Sequence, residues 1–212
     1  MEDLTALVDQ LRASIRDERV LAAIASVPRE RFVPEPERAR AYENCALPIP
    51  CGQTISQPLI VARMLELLEL RLNDVVLDVG TGSGYHAALL ARLAGHVVSI
   101  ERHAELAESA GQALRELGIG NVELFVGNGL EGLPARAPYD AINVAAAAAG
   151  SDVAVALERQ LSPGGRLIAP VGGDRQHLVL SRRTRDGIRR RRLEAVRFVP
   201  LVPLVPLVPL VP

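Results

Sequence analysis

The amino-acid sequence predicts an α/β fold, in which a doubly wound sheet of seven strands follows a helical segment and ends in an antiparallel hairpin. Three observations support this prediction. From residue 75 onward, short apolar runs alternate with amphipathic helical patterns, which is typical of parallel strands covered by helices on both faces. A glycine-rich turn at 80–84 connects the first of these strands to a helix. The last two strand patterns are separated by Arg185-Asp186-Gly187, which is short enough for a hairpin turn.

The part of the chain before the sheet is predicted to be mostly helical. Its apolar residues recur at helical spacing in three stretches, which are separated by prolines and by a polar segment at 48–58. These apolar positions are Leu4, Leu7, Val8 and Leu11, then Val20, Leu21 and Ile24, then Ile60, Val61, Met64, Leu65, Leu67 and Leu68. We therefore predict an N-terminal helical segment at 1–70 and a core at 71–203.

Strands and helices are expected to alternate through the core. The expected strands are 75–79, 97–101, 122–126, 140–145, 165–171, 177–184 and 188–198, and the expected helices are 84–94, 103–118 and 152–161. This order predicts a sheet whose last two strands form the antiparallel hairpin at one edge.

The chain ends in four copies of Leu-Val-Pro, which begin at Leu201. Proline at every third position is incompatible with a helix or a sheet ladder, so the tract is predicted to be extended. We expect residues 204–212 to be disordered and without a role; the alternative is a proline-rich ligand for a partner. Residues 198–203 are close enough to the core to pack against it.

The composition argues against several classes of protein. The net charge is −1, and the arginines that concentrate at 182–192 have no aromatic residues among them to stack on bases, so no nucleic-acid partner is expected. No apolar run approaches the roughly 20 residues of a membrane span, and no secretory signal is visible, so we expect a soluble, cytoplasmic protein. Cys45 and Cys51 match neither a zinc nor a disulfide pattern, and the histidines share no metal-ligand spacing, so no metal is expected.

The glycine-rich turn is the most informative motif. A dinucleotide-binding turn has the pattern G-x-G-x-x-G, whereas this turn is G-x-G-x-G, with Tyr85 where the third glycine would stand. Asp78 lies two residues before the first glycine, where its carboxylate would repel a pyrophosphate but suit a cation. The common cofactor that is cationic at a sulfonium and an ammonium is S-adenosylmethionine. The predicted cofactor-binding residues here are Asp78, Gly80, Thr81, Gly82, Ser83 and Gly84.

Two further residues are candidates for binding this cofactor. Glu101 ends the second strand of the core, where an acid accepts hydrogen bonds from ribose hydroxyls in doubly wound folds. Its alternative interpretation is a charge that opens the next helix. Asn128 follows the third strand and has a carbonyl that can accept from an adenine amino group, or it is there to form a turn. His86 is interpreted as a surface residue of its helix, and Asp140 as a loop cap.

Two segments before the core carry a family resemblance. Residues 52–58, Gly-Gln-Thr-Ile-Ser-Gln-Pro, and residues 28–34, Pro-Arg-Glu-Arg-Phe-Val-Pro, resemble the protein-L-isoaspartate O-methyltransferase family. The resemblance continues through the glycine turn, 98–102, 138–142 and 197–201, and covers about residues 10 to 203. It implies a class I, Rossmann-like methyltransferase sheet.

The resemblance also implies an activity and a substrate loop. The implied activity transfers the methyl group of S-adenosylmethionine to the α-carboxylate of L-isoaspartyl residues in damaged proteins, as the first step of their repair, by a monomeric enzyme. Ser56 matches the family's active-site serine, and Thr54 and Ile55 would belong to the same substrate-facing loop. Ser56 is also well placed to be a helix N-cap.

The chain departs from the family pattern at two asparagines. Asn128 stands where the family usually has an aspartate, and Asn143 places a polar side chain at an expected core position. Three alternatives are therefore open: a methyltransferase of the same fold that acts on a small molecule or RNA, a protein that binds S-adenosylmethionine without catalysis, and a nicotinamide-dependent dehydrogenase.

Overall fold

The computed structural model describes residues 2–148 and 151–203, without the side chains of residue 2 and of 151–153. The repeats at 204–212 lie outside the described residues. The helices are α1 (Glu2–Arg12), α2 (Glu18–Ser26), α3 (Pro58–Leu68), α4 (Tyr85–Leu93), α5 (Ala104–Glu116) and α6 (Ser151–Glu158). The strands are β1 (Leu47–Ile49), β2 (Gln53–Ile55), β3 (Val75–Val79), β4 (His96–Glu101), β5 (Val122–Val126), β6 (Tyr139–Val144), β7 (Leu161–Val171), β8 (Gln176–Thr184) and β9 (Gly187–Val196).

Seven strands form one sheet in the order β5-β4-β3-β6-β7-β8-β9. The first five of these are parallel, and β8 and β9 are antiparallel to their predecessors in the chain, which confirms the predicted sheet and its terminal hairpin. The boundary before β7 was predicted wrongly. Helix α6 ends at Glu158 and β7 begins at Leu161, because Leu161 already pairs with Tyr139 before the register shifts around the Pro-Gly-Gly turn.

A second, two-stranded sheet lies outside the predicted set. Strands β1 and β2 pair antiparallel, with Leu47 opposite Ile55 and Ile49 opposite Gln53. Cys51 and Gly52 turn the chain between them with φ of 60° and 65°. Each strand has three residues and β1 contains a proline, so no two-residue periodicity is long enough to predict it.

The N-terminal helices pack on one face of the main sheet. Buried side chains of α1, α2 and α3 share a core cluster with α4 and with Val76 of β3, and Leu11, Ile24 and Leu65 are among the most buried of them. A separate apolar cluster, which includes Leu77 and Ile142, covers the other face. The helices therefore hold the β1–β2 hairpin close to the glycine turn, and a Cβ placed on Gly82 would lie 3.7 Å from the Cδ1 of Ile49.

Residues after β9 return across the sheet. The backbone N–H of Ala147 donates to the carbonyl of Val199, and the N–H of Leu201 donates to the carbonyl of Ala147, both at 2.8 Å. This confirms that the segment 198–203 packs against the core. The arginine-rich strand β9 is an edge strand, and Arg190 is anchored by an ion pair with the buried carboxylate of Glu158. Within residues 2–148 and 151–203, no helix is long and apolar enough to cross a membrane.

Candidate active site

The glycine turn lies at the topological switch point of the sheet. Strand β3 pairs with β4 on one side and with β6 on the other, so the connections leave its carboxyl end in opposite directions and open a crevice there. Gly80 and Gly84 both have φ of 90°, a conformation that an L side chain rarely adopts. The N–H of Gly80 donates to the carbonyl of Ile100 at 2.9 Å, which fixes the turn against β4.

Asp78 lies beneath this turn in a buried polar network. The Oγ of Ser99 donates to Oδ2 of Asp78 at 2.7 Å, and the Nδ2 of Asn143 donates to Oδ1 at 2.8 Å. The hydroxyl of Thr81 lies 2.6 Å from that of Ser99, and extends the network into the turn. Burial raises the pKa of Asp78 to about 6, against the effect of the two hydrogen bonds and together with the nearby charge of Glu101. Asp78 therefore supports the turn from below and lines none of the clefts described here.

Glu101 binds the turn from the end of β4. Its Oε2 accepts from the N–H of Gly82 at 2.9 Å, and its Oε1 accepts from the N–H groups of Arg102 and His103 at 2.9 and 3.0 Å. A carboxylate has about four acceptor sites, so three amide bonds leave capacity for a further donor. The buried carboxylate lines a small cavity of about 40 Å³, together with Gly80 and Leu201.

Asn128 forms a turn in this structure. Its Oδ1 accepts from the N–H of Leu130 at 3.2 Å, and its Nδ2 donates to Glu131 at 2.7 Å. The turn places the adjacent Gly129 in the wall of the cavity that Glu101 lines. The local geometry thus corresponds to the turn interpretation of Asn128, and its predicted adenine contact stays a prediction.

The loop at 54–57 lines a larger cleft of about 550 Å³. Its other walls come from residues 44–46, from Ala145 after β6 and from the segment 195–199. Ser56 is half-buried in this cleft, and among residues 2–148 and 151–203 no group hydrogen-bonds its hydroxyl. Of the lining residues, Arg197 alone carries a formal charge, so the cleft favours an anion.

Helix α3 does not use Ser56 as its cap, and that alternative was wrong. The N-cap residue is Gln57, and the Oδ1 of Asn44 accepts from the N–H of Leu59 at 3.0 Å in place of a capping side chain. The buried guanidinium of Arg29 donates to the carbonyl of Ser56 at 3.0 Å and fixes the backbone there. The Ser56 hydroxyl is thereby held in the cleft without a structural partner of its own.

A third, narrow cavity joins the two halves of the site. Its volume is about 30 Å³, and it is lined by the loop at 54–56, by the turn at 80–83, and by Tyr85, His86, Val61 and Ala145. Gly80 lines this cavity and also the one beside Glu101, so a ligand that passes Gly80 can extend from Glu101 to Ser56. Seven predicted site residues meet around the narrow cavity: Thr54, Ile55, Ser56, Gly80, Thr81, Gly82 and Ser83.

Two polar residues were judged differently from the sequence. His86 is buried, with 6% of its surface exposed, and is not the surface residue that was predicted. The error arose because helix α4 is covered by α2 and α3, which a single helical pattern does not reveal. Asp140 is a structural residue, as predicted, since its carboxylate accepts from the N–H of Val75 and from the hydroxyl of Ser162, both at 2.9 Å.

The switch-point turn, the acid at the end of β4 and the sheet order together define a Rossmann-like methyltransferase. The particular family follows from sequence comparison. The chain belongs to the protein-L-isoaspartate(D-aspartate) O-methyltransferase family, whose family model matches residues 2–205. The family resemblance carried by residues 28–34 and 52–58 is confirmed.

Similar proteins and structures carry the same name. The chain is 52% identical over 190 residues to a protein-L-isoaspartate O-methyltransferase of Rhodopseudomonas palustris strain CGA009, which covers 88% of this chain and 86% of the relative. It is 53% identical to protein-L-isoaspartate O-methyltransferase 1 of strain HaA2, over 88% of this chain and 77% of the relative.

Two solved structures show the same architecture. A protein-L-isoaspartate O-methyltransferase structure superposes with a TM-score of 0.83 at 29% identity, over 92% of this chain; the chain spans 65% of that longer structure. A structure from Plasmodium falciparum, described as a β-aspartate methyltransferase in complex with S-adenosyl-L-homocysteine, superposes with a TM-score of 0.81 at 26% identity, over 94% of this chain and 98% of that chain.

Proposed function

We propose that this protein transfers the methyl group of S-adenosylmethionine to the α-carboxylate of L-isoaspartyl residues in damaged proteins and so initiates their repair. The observation that carries the proposal is the position of Ser56. Its unpartnered hydroxyl lies in a cleft of about 550 Å³, and a narrow cavity connects the Ser56 loop to the glycine turn. Acceptor and donor can therefore meet at one point, in a chain that belongs to this family.

The described residues fit S-adenosylmethionine. The turn at 80–84 would hold the middle of the cofactor, and Glu101 would accept from the ribose hydroxyls through the acceptor capacity that its three amide bonds leave. Asp78 would contribute negative charge beneath the turn, and Asn128 would contribute through the loop that carries it. When bound, the cofactor supplies a methyl group already activated by a positive sulfonium.

The acceptor needs little activation by the protein. A carboxyl group with a pKa of about 4 is already ionised at neutral pH, so no base has to remove a proton. The remaining task is to align the attacking oxygen with the methyl group and to exclude water. The Ser56 hydroxyl would donate a hydrogen bond to the carboxylate, and Arg197 would attract it electrostatically into the cleft.

The two departures from the family pattern have structural partners. Asn143 donates to the carboxylate of Asp78, and Asn128 forms the turn that positions Gly129. Neither side chain obstructs the cleft or the two small cavities, since neither lines them. These contacts support an active enzyme over one that binds the cofactor without catalysis.

We also propose that the enzyme works as a monomer in the cytoplasm. Every wall of the site described above comes from one chain, so no second copy is needed to complete it. Sedimentation velocity would test the monomer, and fractionation of cells that express the tagged full chain would test the compartment.

The test compares Ser56→Ala with the wild type on an isoaspartyl peptide and on its aspartyl counterpart. A hydrogen bond to a charged group contributes about 1.5–3 kcal/mol, so Ser56→Ala is expected to lower kcat/KM roughly 10-fold to 100-fold. Affinity for S-adenosylhomocysteine, measured by calorimetry, is expected to stay unchanged. Methylation of neither peptide by the wild type would refute the proposed function. Unchanged kcat/KM in the variant would remove Ser56 from the mechanism but leave the activity in place.

A further inference from the structure

His86 has a buried ring nitrogen without a partner. It occupies the first turn of α4, directly after Tyr85, and 6% of its surface is exposed. Its Nε2 is buried and has no hydrogen-bond partner among the described residues. Most buried polar atoms in folded proteins have a partner, so an exception of this kind marks a place where a ligand group or water is accommodated.

The ring borders the narrow cavity between the Ser56 loop and the glycine turn. The volume of about 30 Å³ exceeds the 10–15 Å³ or so that a water-sized group needs, so one small polar group fits. His86 is the one residue with an ionisable nitrogen among those that line the cavity.

The protonation state of the ring makes Nε2 an acceptor. Burial lowers the pKa of His86 to about 4, although the hydrogen bond that the ring donates to the Val61 backbone opposes this effect. At neutral pH the imidazole is therefore uncharged. Because Nε2 has no partner, the proton donated to Val61 is on Nδ1, and Nε2 presents a lone pair.

The direction of the cofactor selects what this acceptor meets. Gly80 lines both small cavities, with Glu101 on one side and with Ser56 and His86 on the other. If the ribose binds at Glu101, the opposite end of the cofactor, which is its amino acid moiety, extends toward His86. This step rests on the proposed function.

We infer that His86 accepts a hydrogen bond from the α-ammonium group of the cofactor and so selects cofactors that carry an intact amino acid moiety. An uncharged imidazole suits this role, because it offers a lone pair to the ammonium without repelling the cation. The contact would belong to donor binding rather than to the methyl acceptor, which distinguishes His86 from Ser56.

The test uses two ligands that differ in the amino acid moiety. S-adenosylhomocysteine retains the α-ammonium, whereas 5′-methylthioadenosine lacks the whole amino acid. In His86→Leu, calorimetry is expected to show affinity for S-adenosylhomocysteine reduced about tenfold or more, and affinity for 5′-methylthioadenosine unchanged. His86→Gln retains an acceptor and is expected to recover part of the loss.

A measurement on the wild type avoids the risk that a core substitution disturbs folding. The ¹⁵N resonance of His86 Nε2 is expected to move when S-adenosylhomocysteine binds and to stay in place with 5′-methylthioadenosine. Equal losses for both ligands in His86→Leu, or an unmoved resonance, would overturn the inference and indicate a packing role or a bound water. Failure of the wild type to bind S-adenosylhomocysteine at all would instead refute the proposed function.

Discussion

Replacing the buried Asp78 by asparagine separates its electrostatic role from its hydrogen bonds. An asparagine can keep its Oδ1 toward the Nδ2 of Asn143 and direct its own Nδ2 to the Oγ of Ser99. The Ser99 hydroxyl then turns to donate to Thr81, which lies 2.6 Å away and can act as donor or acceptor. The substitution Asp78→Asn therefore removes the charge while every bond of the network is retained.

The size of the effect follows from the pKa of Asp78. Its pKa rises from an ordinary 3.8 to about 6 because the carboxylate is fully buried. One pKa unit corresponds to about 1.4 kcal/mol, so ionised Asp78 destabilises the native state by about 3 kcal/mol. This cost is absent well below the unfolded-state value, grows as the pH rises through the interval from 3.8 to about 6, and is complete above it.

Urea unfolding of both proteins measures this cost. The stability of Asp78→Asn relative to the wild type is expected to increase by roughly 2 kcal/mol between about pH 4.5 and about pH 7.5. Other titrating groups are common to both proteins and cancel in the difference. A stability difference that is constant within about 0.5 kcal/mol over this range would refute the reasoning. Affinity for S-adenosylmethionine should fall in the variant, because the negative charge beneath the turn is lost.

Two further predictions concern the turn itself. Gly84→Ala is expected to lower the free energy of unfolding by about 2 kcal/mol or more, because its φ is 90° and the new Cβ would lie 2.9 Å from the Cβ of Ala110. Gly118→Ala is the matched control, since its φ is also positive but no atom lies within 4 Å, and a cost equal to that of Gly84→Ala in urea unfolding would contradict the packing argument. Glu101→Gln is expected to raise the Kd for S-adenosylhomocysteine at least about tenfold, because an amide offers one acceptor oxygen for the ribose and the three N–H groups that Glu101 now serves. An unchanged Kd by calorimetry would remove the ribose role.

Local patterns were enough to predict the sheet and the glycine turn. Strands β3 to β9 each carry an apolar run bounded by turn residues, and Gly80, Gly82 and Gly84 all adopt the positive φ that their spacing predicted. The missed β1–β2 hairpin has strands of three residues, too short for any periodicity to identify. Its position next to Gly82 is nevertheless what brings the acceptor loop to the turn.

The side-chain environment of the site depends on contacts between distant parts of the chain. The partners of Asp78 are 21 and 65 residues away, so the sequence alone revealed the acid but not its burial or its raised pKa. The same applies to His86, which is buried because α2 and α3 cover α4, and to Ser56, which is free because Asn44 serves helix α3 instead.

The sequence by itself thus determined the fold, the family and the residues from which the site is built, because strand and helix periodicity, positive-φ glycines and the 52–58 motif are properties of short segments. Only the tertiary structure decided which polar groups are buried, which are already paired, and which are left without a partner. Burial and pairing are set by packing between segments far apart in the chain, and they determine the pKa of Asp78, the free hydroxyl of Ser56 and the unpartnered nitrogen of His86.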